Sequence, residues 1–510
     1  MSNDTKAAAA QAAREGARGA AFITLAKLWF MATGFLQPLV LTRLLGTDGY
    51  GLYALALSAI SIVNNVVVTG SIQSMSRAVI QGGSRSLRRG LLLHAALGAT
   101  LGGSLAIGAD VLGSDVLHDS RLPGLLRIGA IVVADYSVYA ALVGAFNGRH
   151  RFATQAGLDI TFSTMRTGLL IAFASTSMRV TGAMIGFALA SMVIVAVALF
   201  AARRDLTERD GEESSGPSSF RSFVATYGGF FAPVLLYQLA LNLVLQVDGL
   251  LYKALTSRGG MTETEVNSMV GIYKAAQTFA FLPYQLLLSV TFVVFPVVSR
   301  ATLEGDKDTT KGFVDGAVRF SAMALGAMLA VLAGLPRGVL SLAFKPEYAA
   351  GERALRFLSL GQGAFSLSVI GTTIVLAAGR TRAATAIMLV TLVGVVVGDV
   401  AGVRLSAGGS STLDGLAMGT AGGWVLGVIL VGWYVRAEFG AFLRFATAGR
   451  VALCTAVAAV VAGKLPLHGK VGTLMAAAVT GVLYVVMLAV TGELGRAELE
   501  RVKRITRRGR

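Results

Sequence analysis

Runs of about 20 apolar residues recur from near one end of this chain to the other, and they limit what it can become. That length matches a helix crossing a hydrocarbon layer of about 30 Å. Inside lipid, every backbone polar group must be paired within the protein, so only helices or closed barrels can cross. Barrel strands alternate polar and apolar residues over about ten positions. These runs do not alternate, so the reading is helical. Composition agrees: 54% of the 510 residues are hydrophobic and 14% are charged, against about 25% charged in soluble domains. The expected fold class is therefore an all-α polytopic membrane protein.

Fourteen spans are read. The first seven lie near 20–42, 51–69, 91–111, 125–145, 152–174, 182–201 and 223–245. The remaining seven lie near 269–297, 318–340, 354–377, 384–403, 416–435, 451–465 and 473–491. Pro38, Pro233, Pro283, Pro296 and Pro336 fall within them, which membrane helices tolerate when neighbours pair the freed carbonyls. The first 18 residues are polar and alanine-rich and precede a full-length span, which argues against a cleaved signal peptide. Residues 5–18 read as a short, weakly amphipathic surface helix. Cys454 lies within an apolar run and reads as a packing residue with no disulfide partner.

Loop cations orient the set. With the N-terminus inside, 28 of the 45 Lys and Arg residues fall in inside segments and nine fall in outside loops. An even span count then puts both termini in the cytoplasm. The net charge of +17 resides in short loops beside apolar spans, so it reads as orientation and contact with anionic membrane lipids rather than nucleic-acid binding.

Two halves of the chain share landmarks in the same order. Gly51-Leu52-Tyr53 opens the second span and Gly271-Ile272-Tyr273 lies at the start of the eighth. Ser76-Arg77-Ala78 follows the first and Ser299-Arg300-Ala301 the second. Gly148-Arg149-His150-Arg151 joins spans four and five, as Gly379-Arg380-Thr381-Arg382 joins spans ten and eleven. Six spans plus six in the same orientation make a parallel repeat, a plan that places a transport site between halves and alternates access by rocking. The expected organisation is a cytoplasmic N-terminal segment 1–18, a first six-helix half 19–202, a cytoplasmic linker 203–222, a second half 223–436, two additional helices 437–492 and a basic cytoplasmic tail 493–510.

The stretch Phe35-Leu36-Gln37-Pro38-Leu39-Val40-Leu41-Thr42-Arg43-Leu44-Leu45-Gly46, then Gly49-Tyr50-Gly51-Leu52-Tyr53, resembles the start of the Wzx-type polysaccharide-biosynthesis flippases. These belong to the multidrug/oligosaccharidyl-lipid/polysaccharide exporter superfamily. Phe295-Pro296 followed by Ser299-Arg300 is similar to the family as well. The resemblance implies two six-helix halves in a V-shaped bundle. It implies a flippase moving undecaprenyl-diphosphate-linked oligosaccharide from inner to outer leaflet for O-antigen, capsule or exopolysaccharide assembly. A proton or Na+ gradient as driving force and a polysaccharide polymerase as working partner are implied too. The chain carries no Walker-type motif for ATP, no metal-ligand cluster and no defensible catalytic set, so no cofactor and no enzymatic activity are expected.

An anionic diphosphate asks for cations within the spans, where charge costs about 3 kcal/mol per residue on insertion scales. Lys27 in span one reads as a diphosphate-binding cation, or as a side chain snorkelling to the surface or pairing with an acid. Asp159, Ser163 and Arg166 of span five share one helical face. Arg166 binds the diphosphate with Asp159 as resting counter-ion in one reading, and the two lock helices together in the other. Span eight carries Lys274, Gln277 and Gln285 on one face; Lys274 and Gln277 read as substrate-binding, or Lys274, near the outer end, as snorkelling. Gln238 and Asn242, with Gln246 beyond, make a neutral stripe suited to sugar hydroxyls or to helix packing. Asp135, the acid nearest a span centre, joins Asp159 as a candidate for ion coupling. Asp110, Asp248 and Asp399 read as interfacial, Arg319 as marking the inner end of span nine. Two rivals share the superfamily: a lipid II flippase for peptidoglycan, which charge cannot separate from the first reading, and a cation-coupled multidrug exporter, which would want acids in the first helices. A membrane-embedded polymerase or ligase would want a long polar outer loop, which is lacking.

Overall fold

A computed structural model describes residues 3–207, 219–257, 261–304, 307–467 and 469–495. Among these the chain is helical, with no strand. The core of the expected linker, 211–218, and the basic tail from 496 lie outside the described residues, as do the side chains of the expected surface helix at 5–18.

The first helix, α1 (Asn3–Ile107), carries three of the expected spans. Two breaks divide it. At Gly46 the backbone adopts φ 73° and ψ −176°, and at Gly83 φ is 54°. L-residues with a Cβ rarely adopt such angles, so glycine is what permits both corners. A π-turn (Val111–Val116) leads into α2 (Leu122–Gly148), α3 (Phe152–Ala174) and α4 (Arg179–Thr207). Then come α5 (Phe220–Thr256), α6 (Glu263–Ala280) and α7 (Leu282–Leu303). The expected eighth span is thus two helices, because Pro283 in the first turn of α7 has no N–H to continue α6. The ninth is shortened for the same reason. α8 (Lys307–Gly334) stops at Leu335, held at φ −120° and ψ 40° before Pro336, and a short α9 (Pro336–Ala343) restarts. The chain closes with α10 (Glu352–Ala377), α11 (Thr381–Leu405), α12 (Ser411–Phe439), α13 (Phe445–Lys464) and α14 (Gly469–Val490).

The chain divides into two compact units, 1–271 and 272–510, the division falling within the sequence of α6. In the first, Met75, Leu87, Ala141, Phe223 and Tyr227 build a core joining α1, α2 and α5. The N-terminal part of α5 therefore packs with helices of the first half. In the second, Met323, Ala330, Cys454, Ala458 and Tyr484 join α8, α13 and α14. Cys454 is fully buried there, as its apolar surroundings suggested. Where α11 meets α12, a Cβ on Gly402, Gly415, Gly398 or Gly419 would run into the backbone of the facing helix. Small residues spaced by four let membrane helices approach closely where lipid offers no hydrophobic drive.

Candidate functional site

The first unit gathers charge and aromatic surface where α1, α2 and α3 converge. Lys27 is exposed on α1 and within electrostatic reach of Asp159 on α3. Asp159 is half-buried and accepts a hydrogen bond from the Tyr139 hydroxyl of α2 at 3.0 Å. Seven residues along α3, Arg166 lies over the rings of Phe30, Phe187 and Phe162, at 5.1, 5.4 and 5.9 Å from their centroids. A guanidinium on aromatic faces is favourably held while its donor edge stays available. With its amide oriented to satisfy both atoms, Gln37 accepts from Arg166 Nη2 at 3.0 Å and from Thr167 at 2.8 Å. Trp29 Nε1 donates to Thr164 at 2.8 Å, tying α1 to α3 one turn away.

Of the residues proposed from sequence, Lys27 and Asp159 are thus brought together, with Arg166 two turns further along α3 among aromatic rings. Ser163 is not part of the set. Its side chain is fully buried and its hydroxyl donates to the Ile160 carbonyl at 3.1 Å. Asp135 turns to α4, where Ser191 donates to it at 2.7 Å. On α5, Asn242 donates back to the Gln238 carbonyl at 2.8 Å, and Gln246 accepts from Ser58 of α1 at 2.9 Å. That end of the polar stripe ties helices together. Lys274 and Gln277 lie in the second unit, both buried, with Lys274 Nζ donating to Gln277 Oε1 at 2.8 Å.

The structure adds partners to the residues expected near span ends. Asp248 and Asp399 are fully buried within the protein, and Thr420 of α12 donates to Asp399 at 2.8 Å. Arg319 donates to the carboxylate of Glu493, itself 2% exposed, at 3.1 Å. Arg450 reaches the same carboxylate at 3.1 Å. Asp110 is exposed and paired with Arg127.

Sequence reasoning missed several partners. Tyr139 is 20 residues from Asp159 and Gln37 is 129 from Arg166, so no local spacing announces either pair. Gln37 stands inside the family-like stretch of span one, which was the available signal. Also missed was a buried ion pair at the Gly46 end of this unit. Lys253 Nζ lies 3.2 Å from Asp119 Oδ2, with both side chains fully buried. Asn267 donates to the same oxygen at 2.6 Å, and Arg121 grips Asp48 with two bonds at 2.9 and 3.0 Å.

The polysaccharide biosynthesis protein family matches residues 17–302. No curated protein sequence matches the chain. Among solved structures, the lipid II flippase MurJ in an inward closed conformation is similar at a TM-score of 0.74 and 14% identity, over 92% of this chain and 98% of that one. A multidrug resistance MATE family transporter of the MOP superfamily, in an inward-facing conformation, gives a TM-score of 0.58 at 16% identity, over 82% and 94%. A MOP superfamily transporter from Pyrococcus furiosus, described by the reversed polarity of its binding pocket, gives 0.58 at 16%, over 83% and 95%. At such identities the likeness speaks for the fold, which is that of the MurJ and MATE transporters. With the family match spanning more than half of its length, the chain belongs to the polysaccharide biosynthesis protein family.

Proposed function

We propose that the protein flips undecaprenyl-diphosphate-linked oligosaccharide units from the inner to the outer leaflet of the cytoplasmic membrane by alternating access, for assembly of a surface polysaccharide. The observation that carries this reading is the set Lys27, Asp159 and Arg166 on α1 and α3. Two cations stand within membrane helices, one on aromatic faces and one opposite an acid. An intramembrane cation is costly unless paired, so Asp159 serves as the resting partner of Lys27. A diphosphate offers several oxygens and forked geometry suited to a guanidinium. When it binds Lys27 and Arg166, Asp159 loses its cation and needs another, a proton or Na+. Loading of substrate and binding of the coupling ion are linked in this way. Lys274 and Gln277 are further candidates for substrate contact, Gln238 and Asn242 meet sugar hydroxyls, and Asp135 is a second candidate for ion coupling. Membrane lipids surround the protein, and a polysaccharide polymerase receives the flipped unit.

A second reading, a lipid II flippase, is favoured by the likeness to MurJ across nearly the whole chain. A multidrug exporter would need acids in place of Lys27. Depleting the protein in its host and measuring isoprenoid-diphosphate-linked saccharides by mass spectrometry separates these. A lipid-linked repeat unit should accumulate while surface polymer falls. Accumulation of lipid II would move the assignment to peptidoglycan. Unchanged pools with altered sensitivity to cationic drugs would overturn both flippase readings.

A further inference from the structure

At the Gly82 end of the first unit, between α1 and the start of α5, a cavity of about 300 Å³ opens. Its wall includes Ser74, Arg77, Gln81, Ser86, Thr226 and Tyr227. No carboxylate is among the described residues that line it. The α1 break at Gly82 and Gly83 makes the space, because the chain turns there instead of continuing the helix that bears Arg77. Further cations, Arg85, Arg88 and Arg89, follow the break in sequence.

The rear of the cavity is built rather than incidental. His94, fully buried, lies behind Tyr227 with Nε2 2.7 Å from its hydroxyl. Ser137 spends its proton on the His94 carbonyl at 2.9 Å and Ser71 donates to the Val67 carbonyl. Both hydroxyls therefore face His94 Nδ1, at 3.2 and 3.4 Å, as acceptors. Nδ1 must carry the ring proton, Nε2 is bare, and Tyr227 donates to it. The ring is thereby locked in place. Beside it, Ser74 is 3% exposed, stands next to the Tyr227 hydroxyl and lines the cavity.

We propose that this cavity is an anion site that takes a phosphate group, with Arg77 as its cation and Ser74, Gln81 and Thr226 as neutral donors. It is separate from the Lys27, Asp159 and Arg166 set. At a water volume of about 30 Å³, the space is equivalent to roughly ten waters. That admits a phosphate headgroup. The phosphate has two sources, an anionic phospholipid headgroup or a water-soluble phosphate, and basic pockets between membrane helices are suited to the first.

The test uses the full chain in phosphatidylcholine nanodiscs. Phosphatidylglycerol is added in steps and retained lipid is counted by native mass spectrometry. In parallel, inorganic pyrophosphate is titrated and the unfolding temperature followed. Saturable binding that Arg77→Gln weakens roughly ten-fold or more, while Arg221→Gln leaves it unchanged, supports the site. If only the lipid binds so, its headgroup is the ligand. If only pyrophosphate does, the ligand is soluble. If both do, the site reads the phosphate alone. Absence of saturable binding to either probe, or equal binding by folded Arg77→Gln, overturns the proposal. Should Arg77→Gln not fold, Ser74→Ala decides, and unchanged binding there overturns it too.

Discussion

Gly51 and Gly271 lie backbone to backbone. A Cβ on Gly51 would stand 2.9 Å from the Gly271 nitrogen, and one on Gly271 would stand 3.0 Å from the Gly51 nitrogen. Each opens one of two similar sequence segments, Gly51-Leu52-Tyr53 and Gly271-Ile272-Tyr273. A Cβ on Gly51 would also strike the Asn267 carbonyl, and one on Gly271 the Thr47 carbonyl. Backbone on both sides leaves no flexible side chain to yield. Gly51→Ala is expected to cost about 1–3 kcal/mol, read as a lower unfolding temperature of the purified protein. An unchanged temperature would mean that the two backbones part without cost.

The Lys253–Asp119 pair is fully buried. Removing one partner strands the other charge, at a cost of about 3–5 kcal/mol. Lys253→Met and Asp119→Leu should each be strongly destabilising, and the double variant markedly less so than their sum. Thermal unfolding of the four proteins gives the coupling directly. Additive effects would show that the pair contributes nothing as a pair.

Asp119 sits in the loop before α2. Burial pushes its carboxyl up, yet hydrogen bonds from Asn267 and the Arg121 amide, together with the Lys253 and Arg121 charges, hold it below its ordinary 3.8. A depressed carboxyl stabilises the fold fully above the unfolded value and ceases to do so as pH falls through the folded one. The wild type should therefore lose stability below about pH 4 more steeply than Asp119→Asn. Parallel pH profiles of unfolding temperature would refute this.

Lys27 and Asp159 make a sharper functional test. Lys27→Gln should abolish complementation of a depleted host and leave folding intact, because the side chain is exposed. Asp159→Asn should also abolish transport, by removing the site for the coupling ion. Restored surface polymer with either variant would remove that residue from the proposed mechanism.

Glu493 pins α13 and the segment after α14 to α8 through Arg319 and Arg450. Glu493→Gln leaves two partly exposed guanidinium groups facing a neutral amide. A loss of about 1–2 kcal/mol is expected, seen as early proteolysis of the C-terminal helices. Wild-type protease resistance would argue against the anchor.

The spans were legible because lipid permits so few backbone solutions. α3 begins and ends at the residues expected from hydropathy alone. The errors came at prolines. Pro283 and Pro336 were read as tolerated within spans, but each stands at a helix start. Hydropathy reports apolar length and says nothing of hydrogen-bond continuity. The charged residues were legible one at a time, since a lysine or aspartate in an apolar run stands out. Their partners were not. Asp119 meets Lys253 and Arg319 meets Glu493 across 134 and 174 residues, and only packing brings them together. Gly51 and Gly271 were visible as a repeated pattern, yet their contact was invisible to any reading along the chain.

The seam between α11 and α12 has a consequence for how the gene can drift. Gly398 faces Gly419 and Gly402 faces Gly415, each with the opposite backbone where a Cβ would go. Every missense change at a glycine codon adds a Cβ. These four codons therefore have no conservative neighbour, and in a saturation mutational scan each should be a column tolerating only its synonymous changes.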